Sequence, residues 1–246
     1  MIEHAILLSA GQGSRMLPLT AERPKCLIDF SGKSLIAWQI EMLARGGVKR
    51  IDVVTGFMTD MVDAHLAEID DPRVTITTVF NPFYKVADNL GSCWIARSAM
   101  DGDFLILNGD TLVSEEIVAR VQEGNNWPIA VTVDVKDAYD SDDMKVTRDR
   151  ATGRLDRIGK TLTAAESNAE SIGFLAFRGE GAALFREAVR AAMRTPEGVQ
   201  HWYLKVIDSL APTGKVGTLS IQGLGWGEVD FLNDVEAATR LTDTWV

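Results

Sequence analysis

Cysteine and histidine are scarce in this chain: two of the first and three of the second in 246 residues. Cys26 and Cys93 offer one possible pair, and nothing requires it. That suits a reducing compartment, with both as buried thiols. His4, His65 and His201 form no Ser/His/Asp or Cys/His grouping that would suggest nucleophilic catalysis. Positive charge is also short, with 25 Lys and Arg against 35 Asp and Glu and a net charge of −10. A general nucleic-acid binder would need a basic surface, so that class is excluded. No apolar stretch reaches membrane-spanning length, and no basic segment with a signal-length apolar run opens the chain. No membrane association and a cytoplasmic location are therefore expected. Internal repeats, low-complexity tracts and Pro-rich linkers are lacking too. The simplest organisation is one domain over residues 1–246, with an elaboration after about residue 135.

What the chain does have is the string LSAGQGSRMLPLTAERPKCL at residues 8–27, behind the apolar run Ala5-Ile6-Leu7-Leu8. A predicted strand leads into a glycine turn, Arg15 closes the turn, and Pro24-Lys25 follows. Glycines let backbone N–H groups approach phosphate oxygens, and Arg15 and Lys25 add fixed positive charge. The string reads as a triphosphate-binding loop. It is not a P-loop, because Arg15 follows Gly13-Ser14 where Gly-Lys-Ser/Thr is required. Nor is it a dinucleotide fingerprint: Met16 replaces the third glycine, and no acid ends the second strand at Val54-Thr55-Gly56.

The first half alternates in hydrophobic period. Strands are predicted at 51–55, 74–80, 104–107 and 129–135. Helices are predicted at 34–44, with Gln39 as one polar interruption, at 59–69 with Thr59 as N-cap, at 91–100 and at 114–122. Residues 104–107 are continuously apolar, as in a central strand buried on both faces. The succession implies an α/β fold with an open, mostly parallel twisted sheet flanked by helices and a small β elaboration on the substrate side. Ligands bind such sheets at the carboxyl ends of the strands, which puts the glycine turn and Asp110 at one edge. The second half is more mixed. Strands are predicted at 144–148 and 155–158 around Thr152-Gly153, at 172–177 and at 216–221, with helices at 181–193, 200–210 and 231–241.

With LILNGDT at 105–111 and WGEVDF at 226–231, the glycine string resembles the nucleotidyltransferases that make nucleoside-diphosphate sugars and alcohols. The resemblance covers nearly the whole chain. It implies attack by a phosphomonoester on the α-phosphorus of a nucleoside triphosphate, with pyrophosphate leaving. The nucleophile is already ionised, so positioning and charge neutralisation carry the catalysis. By the same resemblance, Ala10, Gly11, Gln12, Gly13 and Ser14 hold the nucleotide. Lys25 grips the α- and β-phosphates and Arg15 the pyrophosphate. Asp110 and Asp230 bind Mg²⁺, with Glu228 as a further ligand or supporting group. Asp after Gly is also a common turn former, and Asp230 precedes a predicted helix it would suit as a cap. Lys160 resembles the lysine that binds the acceptor phosphate, although Gly159 and Thr161 replace the usual Glu and Pro beside it.

Asn89 and Ser92, in the stretch Asp88-Asn89-Leu90-Gly91-Ser92, are similar to an N-x-x-S pattern of phosphocholine cytidylyltransferases. The blocks at 142–146 and 158–160 are more like inositol-1-phosphate cytidylyltransferases. Both favour CTP. Choline would need an aromatic box, for which Trp94, Trp202, Tyr203 and Trp226 are candidates. A polyol would need groups such as Asp142, Asp143, Glu170 and Ser171, with Lys145 as further local positive charge. The reading is an Mg²⁺-dependent cytidylyltransferase for a small phosphorylated alcohol, its oligomeric state open to a homo-oligomer. A sugar-1-phosphate uridylyl- or thymidylyltransferase and a non-catalytic regulatory subunit are the alternatives. Such subunits typically lose the lysine or the carboxylates, and Lys25, Asp110 and Asp230 are all present.

Overall fold

The computed structural model describes residues 1–124 and 126–246. Its first half runs β1 (His4–Leu8), the short hairpin β2 (Asp29–Phe30) and β3 (Lys33–Ser34), α1 (Leu35–Arg45), β4 (Arg50–Thr55), α2 (Thr59–Ala67), β5 (Thr75–Phe80), α3 (Asn89–Ile95), β6 (Phe104–Asn108), β7 (Thr111–Val113) and α4 (Glu115–Glu123). The second half runs β8 (Ile129–Asp134), β9 (Lys145–Arg148), β10 (Leu155–Ile158), β11 (Ala169–Phe177), α5 (Glu180–Ala192), α6 (Tyr203–Leu210), β12 (Val216–Ser220), β13 (Trp226–Glu228) and α7 (Asp234–Asp243).

A nine-stranded sheet draws on both halves in the order β10-β9-β11-β6-β1-β4-β5, with β8 paired to β11 and β12 paired to β8. The pairs β6-β1, β1-β4 and β4-β5 are parallel. Antiparallel pairing begins at β11, whose Phe174–Phe177 lies beside β6 while its Ala169 and Glu170 pair with β9. The expected β elaboration is the β9-β10 hairpin at the end of the sheet.

Side chains alternate across the pleat and build a core on each face. Ala5, Leu7, Val53 and Leu107 face the cluster containing Trp38 of α1 and Ile117 of α4. Ile6, Leu8, Val54 and Phe104 face the cluster containing Phe185 of α5 and Tyr203 of α6. Phe104 stacks on Phe177 at 4.6 Å between ring centres, joining the parallel strands to the antiparallel ones. Each such fully buried side chain contributes roughly 1.5–3 kcal/mol.

Four predicted helix boundaries move. Met58, not Thr59, is the N-cap of α2, in a left-handed conformation (φ +48°), while the Thr59 hydroxyl bonds that of Thr55. The helix expected over 91–100 begins at Asn89 and gives way to a 3₁₀ turn at Ala96–Ala99. The one expected over 200–210 begins at Tyr203, after a 3₁₀ turn at Gly198–Gln200. Helix α7 begins at Asp234 instead of 231, because the Asp234 carboxylate accepts hydrogen bonds from the Asp230 and Phe231 N–H groups and holds them as a turn. Among the described residues, no helix is long and apolar enough to cross a membrane.

Candidate active site

The carboxyl ends of β1 and β6 open into a cavity of about 270 Å³. Its floor includes Ala10, Gly11 and Gly13 of the glycine turn, with Lys25 and Asp110 at one end and Asn89 and Ser92 also on its wall. Gly13 has φ +74°, a conformation L side chains avoid, and a Cβ there would stand 2.8 Å from Lys25 Cβ. Its lack of a side chain lets the turn lie against the lysine stem. Gly109 is similarly constrained: a Cβ would stand 2.4 Å from the Leu8 carbonyl oxygen, to which its own N–H donates at 3.1 Å. Gln12 and Ser14, expected to hold the nucleotide, do not line this cavity. The Gln12 amide instead donates to the Thr20 carbonyl at 3.3 Å. Ser14 opens the 3₁₀ turn that carries Arg15.

Asp110 and Asp230, far apart in sequence, meet because β7 pairs antiparallel with β13. The Val229 N–H donates to the Asp110 carbonyl at 2.9 Å, so the two segments are joined main chain to main chain. Between the carboxylates lies Lys25, whose Nζ is 2.9 Å from Asp110 Oδ2 and 3.1 Å from Asp230 Oδ1. Arg15 Nη1 approaches Asp230 Oδ2 at 3.3 Å. Burial acts against the Lys25 charge, but Asp110 and Asp230 outweigh it and hold the ammonium above its ordinary value. Burial likewise works to raise Asp110, and Lys25 outweighs it, holding that carboxyl below the ordinary range. Glu228 is exposed to the cleft yet crowded by protein and by the charges of Asp110, Asp230 and Glu170, and its carboxyl is pushed up to about 8.

A second cavity of about 200 Å³ adjoins the first and shares Asn89, Asn108 and Asp110 with it. Arg15, Lys160, Trp202, Glu228 and Asp230 line it. The Lys160 ammonium stands 5.2 Å from the Trp202 ring centre and 3.8 Å from Asp142 Oδ1. Asp142 and Ser171 also line this cavity, whereas Lys145, Glu170 and Trp226 lie elsewhere. Lys145 is 3 % exposed and its ammonium donates to the Asp140 and Asp143 carbonyls, so it holds a turn and lines neither of these two cavities. Glu170 pairs with Lys136 at 2.8 Å and, with Trp226, borders a third cavity of about 390 Å³. Burial pushes its carboxyl up to about 7 against the pull of Lys136.

The aromatic residues do not assemble into a box. Trp202 lines the second cavity and Trp226 the third, where its indole N–H donates to Asp134 at 2.9 Å. Tyr203 is buried, with its hydroxyl donating to Asn108 Oδ1 at 3.2 Å. The Arg97 guanidinium covers the Trp94 ring at 3.9 Å. The histidines engage Asp52, Ser34 and Lys205, and none lines the first or second cavity.

Asn108 and Gln39 were not legible as site residues in the sequence. Asn108 ends β6 and walls both cavities. The Gln39 amide donates to the carbonyls of Asn108 and Thr111, at 2.7 and 2.8 Å, and so clamps the turn bearing Gly109 and Asp110. The signal was there as the polar interruption in the apolar stripe of α1.

The hard oxygen donors of Asp110 and Asp230 suit a divalent cation such as Mg²⁺. Among the described residues no group of three or more His, Cys, Asp or Glu side chains converges to hold a metal. A cation held by this pair would therefore draw its remaining ligands from water and substrate phosphates, as Mg²⁺ commonly does.

An open α/β sheet with a glycine turn, a lysine and two aspartates at its carboxyl edge defines a protein that handles nucleotide phosphates. The "Nucleotidyl transferase" family profile matches residues 4–144, and the chain belongs to that family of enzymes. It is 25% identical to a CTP:phosphoglutamine cytidylyltransferase of Campylobacter jejuni over 95% of this chain and 98% of that one. Two solved structures share its fold at 19% identity. They are the inositol-1-phosphate CTP transferase of T. maritima (TM-score 0.80, covering 98% of this chain and 97% of that one) and the CTP:phosphocholine cytidylyltransferase of Streptococcus pneumoniae (0.79, 98% and 100%).

Proposed function

We propose that the chain transfers cytidylyl from CTP to a small phosphorylated acceptor and releases pyrophosphate. The observation that carries this reading is the adjacency of two cavities across Asn89, Asn108 and Asp110, with Lys25 and Arg15 at the seam. CTP occupies the first cavity, its triphosphate on the amides of the glycine turn. Lys25 turns to the α- and β-phosphates and Arg15 to the departing pyrophosphate. Lys160 orients the acceptor phosphate in the second cavity, so that its oxygen meets the α-phosphorus. That oxygen is already ionised, and the chain supplies orientation and charge without a general base. Asp110 and Asp230, with Glu228 beside them, would hold Mg²⁺, which would supply further neutralisation of phosphate charge. Residues 1–135 and 136–246 act as the nucleotide and acceptor halves of one domain, although Arg15 and Asn89 also reach the acceptor side.

The dispersed aromatic residues and the Lys160–Trp202 contact favour an acceptor with N–H or O–H groups over a trimethylammonium. Asp142 and Glu228 on the cavity wall are acceptors for such donors. Relatives named for phosphoglutamine and for 2-aminoethylphosphonate fit the same chemistry. The test is pyrophosphate release with Mg²⁺, crossing five nucleoside triphosphates against phosphocholine, phosphoethanolamine, 2-aminoethylphosphonate, phosphoglutamine, inositol-1-phosphate and glucose-1-phosphate. CTP-restricted turnover with an N–H- or O–H-bearing acceptor is expected. Turnover of glucose-1-phosphate with UTP or dTTP would overturn the reading in favour of the sugar branch.

A further inference from the structure

We infer that Lys25, assisted by Arg15, is an internal counter-ion that closes Asp110 and Asp230 to divalent cations until a triphosphate draws the two basic side chains away. The inference rests on reading those aspartates as the cation ligands.

Each of the four carboxylate oxygens has a donor beside it. Lys25 Nζ bridges Asp110 Oδ2 and Asp230 Oδ1, and Arg15 takes Asp230 Oδ2. The remaining oxygen, Asp110 Oδ1, has the Thr111 hydroxyl at 3.5 Å. Lys25 and Arg15 offset the two negative charges of Asp110 and Asp230, which weakens the pull of this pair on a free metal ion. With no third His, Cys, Asp or Glu joining the pair among the described residues, a cation arriving alone would have to displace an ammonium and then rely on water for most of its ligands.

The two basic groups do not contribute equally. The Lys25 side chain is 13 % exposed and that of Arg15 47 %. A half-exposed ion pair contributes little, whereas parting a largely buried ammonium from its carboxylates costs much more. Lys25 is therefore the bolt and Arg15 a lesser support. A triphosphate supplies the replacement partner. The glycine turn already packs on the lysine stem at Gly13, so rotation about the outer side-chain bonds carries the ammonium from carboxylate to phosphate without main-chain movement. Once it has moved, the negative charges of Asp110 and Asp230 are no longer offset by the ammonium, and the phosphates supply further oxygens. Nucleotide and cation then enter as a unit, and a cation without nucleotide is refused.

The test is Mn²⁺ titration of the whole chain without nucleotide, followed by loss of the free-ion electron paramagnetic resonance signal. Wild type is expected to bind Mn²⁺ only weakly and to leave most of the signal in place. Lys25→Met, which keeps the stem and removes the charge, is expected to bind one Mn²⁺ about tenfold or more tightly than wild type, equivalent to about 1.4 kcal/mol. Adding Asp110→Asn to that variant should abolish the gain. Lys25→Gln provides a second variant if the first does not fold. Mn²⁺ binding by wild type as tight as that of the variant overturns the inference, and so does a folded Lys25 variant without gain, or a gain that survives Asp110→Asn. The outcome is independent of turnover. A chain that transfers cytidylyl yet binds Mn²⁺ freely sinks only the counter-ion role, and a chain silent in every assay that still gains Mn²⁺ on loss of Lys25 sinks only the proposed reaction.

Discussion

Gln39 lies on the buried side of α1 and spans the two carbonyls that flank the turn bearing Asp110. Replacing it by Leu leaves both carbonyls unsatisfied, at about 1–3 kcal/mol each, but also removes a buried Oε1 that has no partner. The net loss expected for Gln39→Leu is about 1–3 kcal/mol, measurable by urea unfolding, with a fall in kcat larger than any change in KM for CTP. Asp110→Asn is expected to abolish turnover while leaving CTP binding detectable by calorimetry; unchanged steady-state activity would remove it from the proposed cation site. Lys25→Ala should cost about 2–4 kcal/mol of transition-state stabilisation, as loss of an electrostatic stabiliser does. Rate constants within threefold of wild type would contradict that role. Arg15 and Lys25 stand out in a dense string of unusual residues, whereas Asp110 and Asp230 stand out only through two short blocks far from it, and the structure brings the four side chains together. Lys145 was misread because sequence shows that a lysine is present and not that its ammonium closes on the carbonyls of its own turn.

Elements of the parallel half were readable because their periods are long and clean. Strand β7 was not. Three residues are too short for a period, and its partner β13 lies beyond most of the second half. This pair brings the aspartates together, so the meeting itself was invisible along the chain even though each residue was marked. The start of α7 was missed for a related reason, since a capping carboxylate acts on N–H groups that periodicity does not report. At the opposite side of the sheet, β1, β4 and β5 are joined by one buried acid. Asp52 accepts from His4 at 2.7 Å, from Arg50 at 2.7 Å and from the Thr77 hydroxyl. Burial acts to raise its pKa, but the hydrogen bonds from His4 and Thr77 prevail and hold it below 3.8. The stabilisation is therefore fully present above that value and is lost as pH falls through the folded-state pKa. Asp52→Asn should flatten the acid limb of the stability profile below pH 3.8, read by thermal melts across pH. An acid limb identical to wild type would show that Asp52 does not carry it.

Across the whole molecule, the parallel and antiparallel strands share one sheet, and Phe104, Phe177 and Phe185 pack over the join. Phe177→Ala is expected to cost about 3–5 kcal/mol and to lower the stability of both halves in a single transition. Two separate transitions would show that the halves fold independently. A net charge of −10 sits beside an anion-binding reading because the basic groups at the seam are few and local. The division of labour between the walls has a further consequence. Asp142, Met144 and Lys160 border the second cavity and not the first, and they come from the stretch around the β9-β10 hairpin. The glycine turn and the end of β6, which shape the first cavity, come from the parallel strands. If the second cavity takes the acceptor as proposed, the hairpin is an exchangeable fitting: grafting a different one at this end of the sheet is expected to change which acceptors are used while the wall of the first cavity stays as it is.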